Sequence, residues 1–212
     1  MIKGILFDFD GVIVESEPLH LKSFIELLKP FGIKLTKERW YGEFAGSGAR
    51  NIMSVLFKEN HINEDVYFWL KKRADLFLGY AKKGELEPTK GLLAFLHIIR
   101  EKGILTTVSS SGNRDYISFL LEQLNLLKYF DMLVTVEDVT KNKPDPEIFL
   151  VSAKKLGLKP DECLVVEDSK NGVKAGKAAG MAVVCVESPA KIDCKYKIKD
   201  FTGFPMDLLS KR

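Results

Sequence analysis

Apolar residues fall into two kinds of pattern along the chain. Five short runs are continuously apolar: Gly4–Phe7, Ile104–Val108, Met132–Val134, Cys163–Val166 and Ala182–Val186. Runs without alternation predict strands buried on both faces, as in a parallel sheet covered by helices. Between them the spacing changes. Leu92, Phe95, Leu96 and Ile99 keep the i, i+3, i+4, i+7 rhythm of one helix face, and so do Ile117, Leu120, Leu121 and Leu124. Strand and helix alternate from about residue 92 to residue 186, which predicts a doubly wound α/β domain.

Residues 16 to 88 interrupt that alternation with helical patterns alone. Leu21, Phe24, Ile25 and Leu28 form a face behind Ser16-Glu17-Pro18, a capping residue followed by a proline suited to a first turn. Pro30 and Gly32 end that helix near Lys29. Thr36 is placed to cap a short second helix, and 51–58 and 64–82 read as two more. The expected organisation is a core of residues 1–15 and 89–212 with an all-helical insert of residues 16–88. The chain shows no internal repeat and no low-complexity stretch.

Composition narrows the class without naming it. The 212 residues are 46% hydrophobic and 29% charged, which suits a folded soluble protein able to bury a core. A net charge of +3 on 32 basic and 29 acidic side chains gives no reason to expect a nucleic-acid or membrane partner. Cys163, Cys185 and Cys194 are too few and too scattered for a disulfide framework or a zinc site, and the first two read as small core residues. His61 and His97 sit among apolar residues and read as structural. No apolar run is long enough for a membrane span and no leader pattern opens the chain, so a cytoplasmic protein is expected.

Candidate chemistry begins where the first strand ends, in FDFDGV. Asp8 and Asp10 stand two apart, so they can share one side while Phe9 points away. Two close carboxylates repel and are costly to desolvate, and a hard divalent cation compensates them well. Asp-Gly is equally a common turn. Three more strand ends change the balance. Ile104–Val108 runs into Ser109-Ser110-Ser111-Gly112-Asn113, hydroxyls and amides suited to a phosphate. Cys163–Val166 runs into Glu167-Asp168-Ser169 and a small-residue helix. Lys143-Pro144-Asp145-Pro146 sets a lysine before a helix entry. Each has an ordinary explanation as a cap or surface residue; four at corresponding places in one fold do not.

The segments DFDGV, VSSS, KPDPEIF and VVEDSKNG, in that order, resemble the four signature motifs of the haloacid dehalogenase superfamily. The insert resembles the helical cap of its phosphoglycolate phosphatase and β-phosphoglucomutase branch, and the likeness covers nearly the whole chain. It implies a Rossmann-like core with Asp8 as nucleophile, forming an aspartyl phosphate. It implies Asp10 as general acid and base. Magnesium would be held by Asp8, the Asp10 carbonyl and Asp168, with Glu167 in or beside the shell. Ser109 and Lys143 would cradle the phosphoryl oxygens, with Ser110 among the substrate contacts. A dehalogenase needs no acid at Asp10, because halide leaves unprotonated; a phosphoric ester does.

The cap is expected to choose the substrate. His20 lies where the mutase subgroup carries a histidine, although an ordinary helix-face histidine fits the same position. Gly46-Ser47-Gly48-Ala49-Arg50 resembles the recognition loop, with Gly46 and Arg50 as contacts and Arg50 suited to a second anion. The mutase pattern has an arginine at Ala49 and a lysine at Gly112, and both departures favour a phosphatase. The expectation is thus a magnesium-dependent phosphatase of small phosphorylated metabolites, such as sugar phosphates, acting as a monomer or weak dimer. A hexose-phosphate mutase is the alternative, and a silent phosphate-binding protein a third reading. The cap is expected to hinge near residues 14–16 and 85–88.

Overall fold

The computed structural model describes residues 1–45, 47–188 and 192–210. In chain order the elements are β1 (Gly4–Phe7), α1 (Glu17–Leu28), α2 (Lys37–Arg39), α3 (Ala49–Glu59), α4 (Val66–Lys82), α5 (Leu92–Glu101) and β2 (Leu105–Ser109). There follow α6 (Arg114–Gln123), β3 (Met132–Val134), α7 (Glu147–Lys155), β4 (Cys163–Glu167), α8 (Lys170–Ala178), β5 (Ala182–Val186) and β6 (Tyr196–Ile198). They divide into two compact units, Met1–Glu15 with Glu87–Arg212, and Ser16–Leu86.

The larger unit is built on one sheet in the order β3-β2-β1-β4-β5-β6. Every neighbouring pair is parallel. The chain leaves β1 for β2 and β3 on one side, then returns to β4 on the other. That reversal opens a crevice beyond the carboxyl ends of β1 and β4, where ligands bind in doubly wound sheets. β1 and β4 are buried along their whole length, which is why their sequences show no alternation.

Two apolar layers enclose the sheet. On one face Leu6, Val165 and Val183 pack with Ile148, Phe149 and Ala153 of α7 and Val173 and Ala175 of α8. Phe7 alternates to the other face, where its ring lies 6.3 Å from Phe95, 5.8 Å from Phe130 and 6.1 Å from Phe201. Phe204 completes this layer, 4.2 Å from Phe95. The last part of the chain therefore covers one side of the central strand.

The smaller unit has its own core. Leu21, Phe24 and Leu28 of α1 meet Trp40, Phe44, Ile52, Met53, Leu56 and Phe57. Asp65 caps α4, accepting from the Tyr67 and Phe68 amides. Thr36 caps α2 as expected, accepting from Arg39 N, and that turn widens into a π-helical stretch at Trp40–Phe44.

Several expectations need correction. Ile25 is 37% exposed, because the buried arc of α1 is centred near Phe24 and Ile25 turns about 100° beyond it. Leu124 follows the end of α6 and is half-buried. β6 was not expected: three residues with an exposed Lys197 carry too little pattern. His61 is exposed, in a left-handed conformation after α3. His97 is exposed too, and its Nε2 lies 2.8 Å from the Tyr129 hydroxyl. Cys185 is not merely a packing residue. It is bonded to Cys194, with Cα atoms 6.2 Å apart, because β6 returns beside β5. Cys163 is a buried free thiol. Among the described residues no helix is long and apolar enough to cross a membrane.

The aromatic layer predicts a stability effect for the tail. Phe201→Ala should lower the unfolding free energy by about 3 kcal/mol, the usual effect of emptying a buried phenylalanine site. Urea denaturation followed by circular dichroism checks it, and a loss under about 1 kcal/mol would remove the tail from the core.

Candidate active site

The carboxyl ends of three central strands converge on one ammonium group. Asp8 follows β1, and its amide donates to Val166 O at 2.9 Å, extending the β1–β4 pairing by one residue. Lys143 reaches in from the loop before α7, with its side chain 6% exposed. Its Nζ donates to Asp8 Oδ1 at 2.5 Å, to Glu167 Oε1 at 2.6 Å and to the Ser109 carbonyl at 3.0 Å. Its three ammonium hydrogens thus have one acceptor at the end of each of β1, β4 and β2.

Glu167 is fully buried, and its second oxygen is equally engaged. Oε2 accepts from the amides of Asp168 and Ser169 at 3.0 and 2.9 Å and from Ser169 Oγ at 2.9 Å. Ser169 Oγ in turn accepts from Gly172 N, capping α8. A Cβ on Gly172 would fall onto the Glu167 carboxylate, so this helix start is open only to glycine. Gly11 plays a similar part in the Phe9–Val14 turn: its φ is +75°, and a Cβ there would strike the Asp168 carboxylate. Asp8, Glu167 and Asp168 each offer an oxygen within 4.8 Å of the others. Asp10 lies in the same turn, while Phe9 beside it is wholly buried.

The serine cluster divides its duties. Ser109 is buried, and its hydroxyl shares a 2.7 Å hydrogen bond with Ser152 Oγ of α7, which donates to Ile148 O. Ser110 extends β2 by donating its amide to Val134 O, and its Oγ accepts from Gly112 N at 3.0 Å. Asn113 caps α6 through the amides of Asp115 and Tyr116.

In the helical unit, His20 stacks on Phe77 with ring centres 4.5 Å apart. Its Nδ1 lies 3.0 Å from Arg73 Nη1. Arginine can only donate, so Nδ1 is the acceptor in this contact. Arg73 escaped the sequence reading because Lys71-Lys72-Arg73-Ala74-Asp75 looks like a solvated helix face; only the packing of α4 on α1 identifies it. Arg50, in the first turn of α3, is exposed with its guanidinium 5.0 Å from the Tyr67 ring. Gly46 lies outside the described residues.

These features coincide with a clear likeness to known proteins. The haloacid dehalogenase-like hydrolase profile matches residues 5–186. The chain belongs to that hydrolase family. The Bacillus subtilis protein YhcW is 32% identical over 205 residues, covering 95% of this chain and 90% of its own. The Thermotoga maritima phosphorylated carbohydrates phosphatase is 29% identical over 180 residues, covering 85% of this chain and 82% of its own. Among solved structures, a haloacid dehalogenase hydrolase of family IA from Entamoeba histolytica superposes with a TM-score of 0.84 at 20% identity. That match covers 99% of this chain and 100% of the other, and it bears on fold alone.

In this hydrolase the donor set suits a hard divalent cation: carboxylate oxygens of Asp8, Glu167 and Asp168 lie within 4.8 Å of one another. Burial perturbs titration here. Burial pushes the Asp8 carboxyl up to about 7, with Lys143 opposing the rise and Glu167 and Asp10 adding to it. For Lys143, burial acts to lower the value, but Asp8 and Glu167 more than offset it and hold the ammonium protonated.

A pH dependence follows. Because the folded-state value of Asp8 exceeds its unfolded value, the associated stability is present in acid and is lost as pH rises through about 7. A cation competes with that proton. Magnesium should therefore raise the melting temperature more at about pH 8 than at about pH 5. Melting curves with magnesium or EDTA at both pH values test this, and an equal or opposite difference would contradict it.

Proposed function

We propose that the protein is a magnesium-dependent phosphatase of small phosphorylated metabolites, with phosphorylated sugars as the substrate class. The observation that carries the reading is the Lys143 ammonium held between Asp8 and Glu167, with the Asp168 carboxylate packed against Gly11. A buried carboxylate beside a buried cation, at the crevice of a doubly wound sheet, suits attack on a phosphoryl group whose negative charge needs a partner. The relative named as a phosphorylated carbohydrates phosphatase supports the substrate class.

In this mechanism Asp8 attacks phosphorus as the ester oxygen departs, giving an aspartyl phosphate. Asp10 gives its proton to the leaving alkoxide, then takes one from the water that hydrolyses the intermediate. Lys143 balances charge on the phosphoryl oxygens, and Ser109 and Ser110 complete the cradle. Magnesium, held by Asp8, Asp168 and the Asp10 carbonyl, would supply the charge that keeps Asp8 ionised and draws the phosphoryl group in. Glu167 orients Lys143 and the loop carrying Asp168. From the cap, His20 and Arg50 are assigned to the organic part of the substrate.

Three experiments test the proposal. A panel of phosphorylated metabolites, with β-glucose 1-phosphate also assayed for conversion to glucose 6-phosphate, should give magnesium-dependent phosphate release and no isomerisation. Asp8→Asn should lower kcat by ~10,000-fold or more while leaving the circular dichroism spectrum unchanged, and wild-type turnover in that variant would exclude the covalent mechanism. Arg50→Ala should cost a substrate with a second anionic group at least ~10-fold in kcat/KM and leave an aryl phosphate nearly untouched. Equal losses on both would remove Arg50 from substrate recognition.

A further inference from the structure

A second chemistry stands beside the carboxylates and has no part in phosphoryl transfer. Cys185 of β5 pairs in register with Glu167 at the end of β4. It is bonded to Cys194, and the two residues are only 2% and 8% exposed. Three residues beyond Cys185, Ser188 donates its hydroxyl to the main-chain carbonyl of Asp168 at 2.6 Å. Beside Cys194, Lys177 of α8 donates to the Asp193 carbonyl at 3.0 Å. Cys185 is therefore anchored next to Glu167 and bridged to Cys194, and Ser188, three residues on, is bonded to the backbone of Asp168.

We propose that Cys185 and Cys194 are a reversible thiol–disulfide couple that sets the affinity of the acidic site for its divalent cation, acting through Ser188. The inference rests on the metal-dependent reading above. The oxidant is a low-molecular-weight disulfide. The thiolate of the more exposed Cys194 attacks one sulfur of that disulfide and expels one thiolate. Cys185 then attacks the mixed disulfide, closing the protein bridge and releasing the second thiolate. Two protein thiols lose two electrons and two protons, and one small disulfide becomes two thiols. In a reducing compartment an isolated bridge forms only on oxidation, so its state reports the surroundings.

The coupling is a matter of order. With the bridge closed, β5 and Cys194 are fixed together, and the Ser188 hydroxyl just beyond β5 keeps the Asp168 carbonyl in place before any cation arrives. With two free thiols, that ordering must accompany cation binding and weakens it. Partners that hold a metal ligand from outside typically change affinity 10- to 100-fold when lost. Ser188 is thus a positioning residue.

Isothermal titration calorimetry with magnesium, on the full chain treated with glutathione disulfide or with dithiothreitol, tests the proposal. The oxidised protein should bind about 10-fold more tightly than the reduced one. Cys194→Ser should bind like the reduced protein under both treatments. Ser188→Ala should bind weakly even when mass spectrometry shows its bridge intact, which separates the hydroxyl from the sulfurs. Equal affinity in the two redox states, or no bridge after glutathione disulfide, would overturn this inference alone. No magnesium binding in either state, with turnover surviving EDTA, would overturn both it and the metal-dependent reading.

Discussion

The site depends on burying Lys143 among groups that belong to separate elements. An ammonium loses several kcal/mol of solvation on entering a protein interior, and so does each carboxylate it meets. Here the loss is offset only when Asp8, Glu167 and the Ser109 carbonyl arrive together, because each satisfies one hydrogen of the same nitrogen. Those acceptors stand at the ends of β1, β4 and β2, so the ion pair is correct only when the sheet is in register.

Small residues make that approach possible. Gly172 lets the start of α8 come up against the Glu167 carboxylate, and Gly11 lets the turn after β1 pass beside Asp168. Neither glycine touches the phosphoryl chemistry, yet each fixes a distance that the chemistry uses. Arg73 acts comparably in the helical unit, orienting the His20 ring through its Nδ1.

Most of the core was legible because its signals are local. Buried parallel strands write themselves as unbroken apolar runs, and a carboxylate or serine cluster after such a run is conspicuous. The four motifs became specific through their order, which a sequence displays directly. What stayed hidden depends on contacts distant in sequence. Phe201 and Phe204 look unremarkable until they meet Phe7 and Phe95. Arg73 is one cation among several until α4 lies on α1. Glu167 reads as a metal ligand, whereas its oxygens are largely committed to Lys143 and the turn before α8. Cys185 and Cys194 are nine residues apart, and nothing in that spacing shows that β6 doubles back beside β5.

The strand order also sets a timetable. β1 is made first but lies at the centre of the sheet, and its two neighbours are β2 and β4. On the ribosome the strand that leads to Asp8 therefore waits, apolar and unpaired on one edge, until residues beyond Glu167 have emerged. The helical unit is different: its core is contiguous in sequence and can collapse while the rest is still being made. The insert after β1 thus lengthens the interval in which a sticky strand has no partner. Asp8 is thus synthesised long before Glu167, and its surroundings exist only once both strands have met.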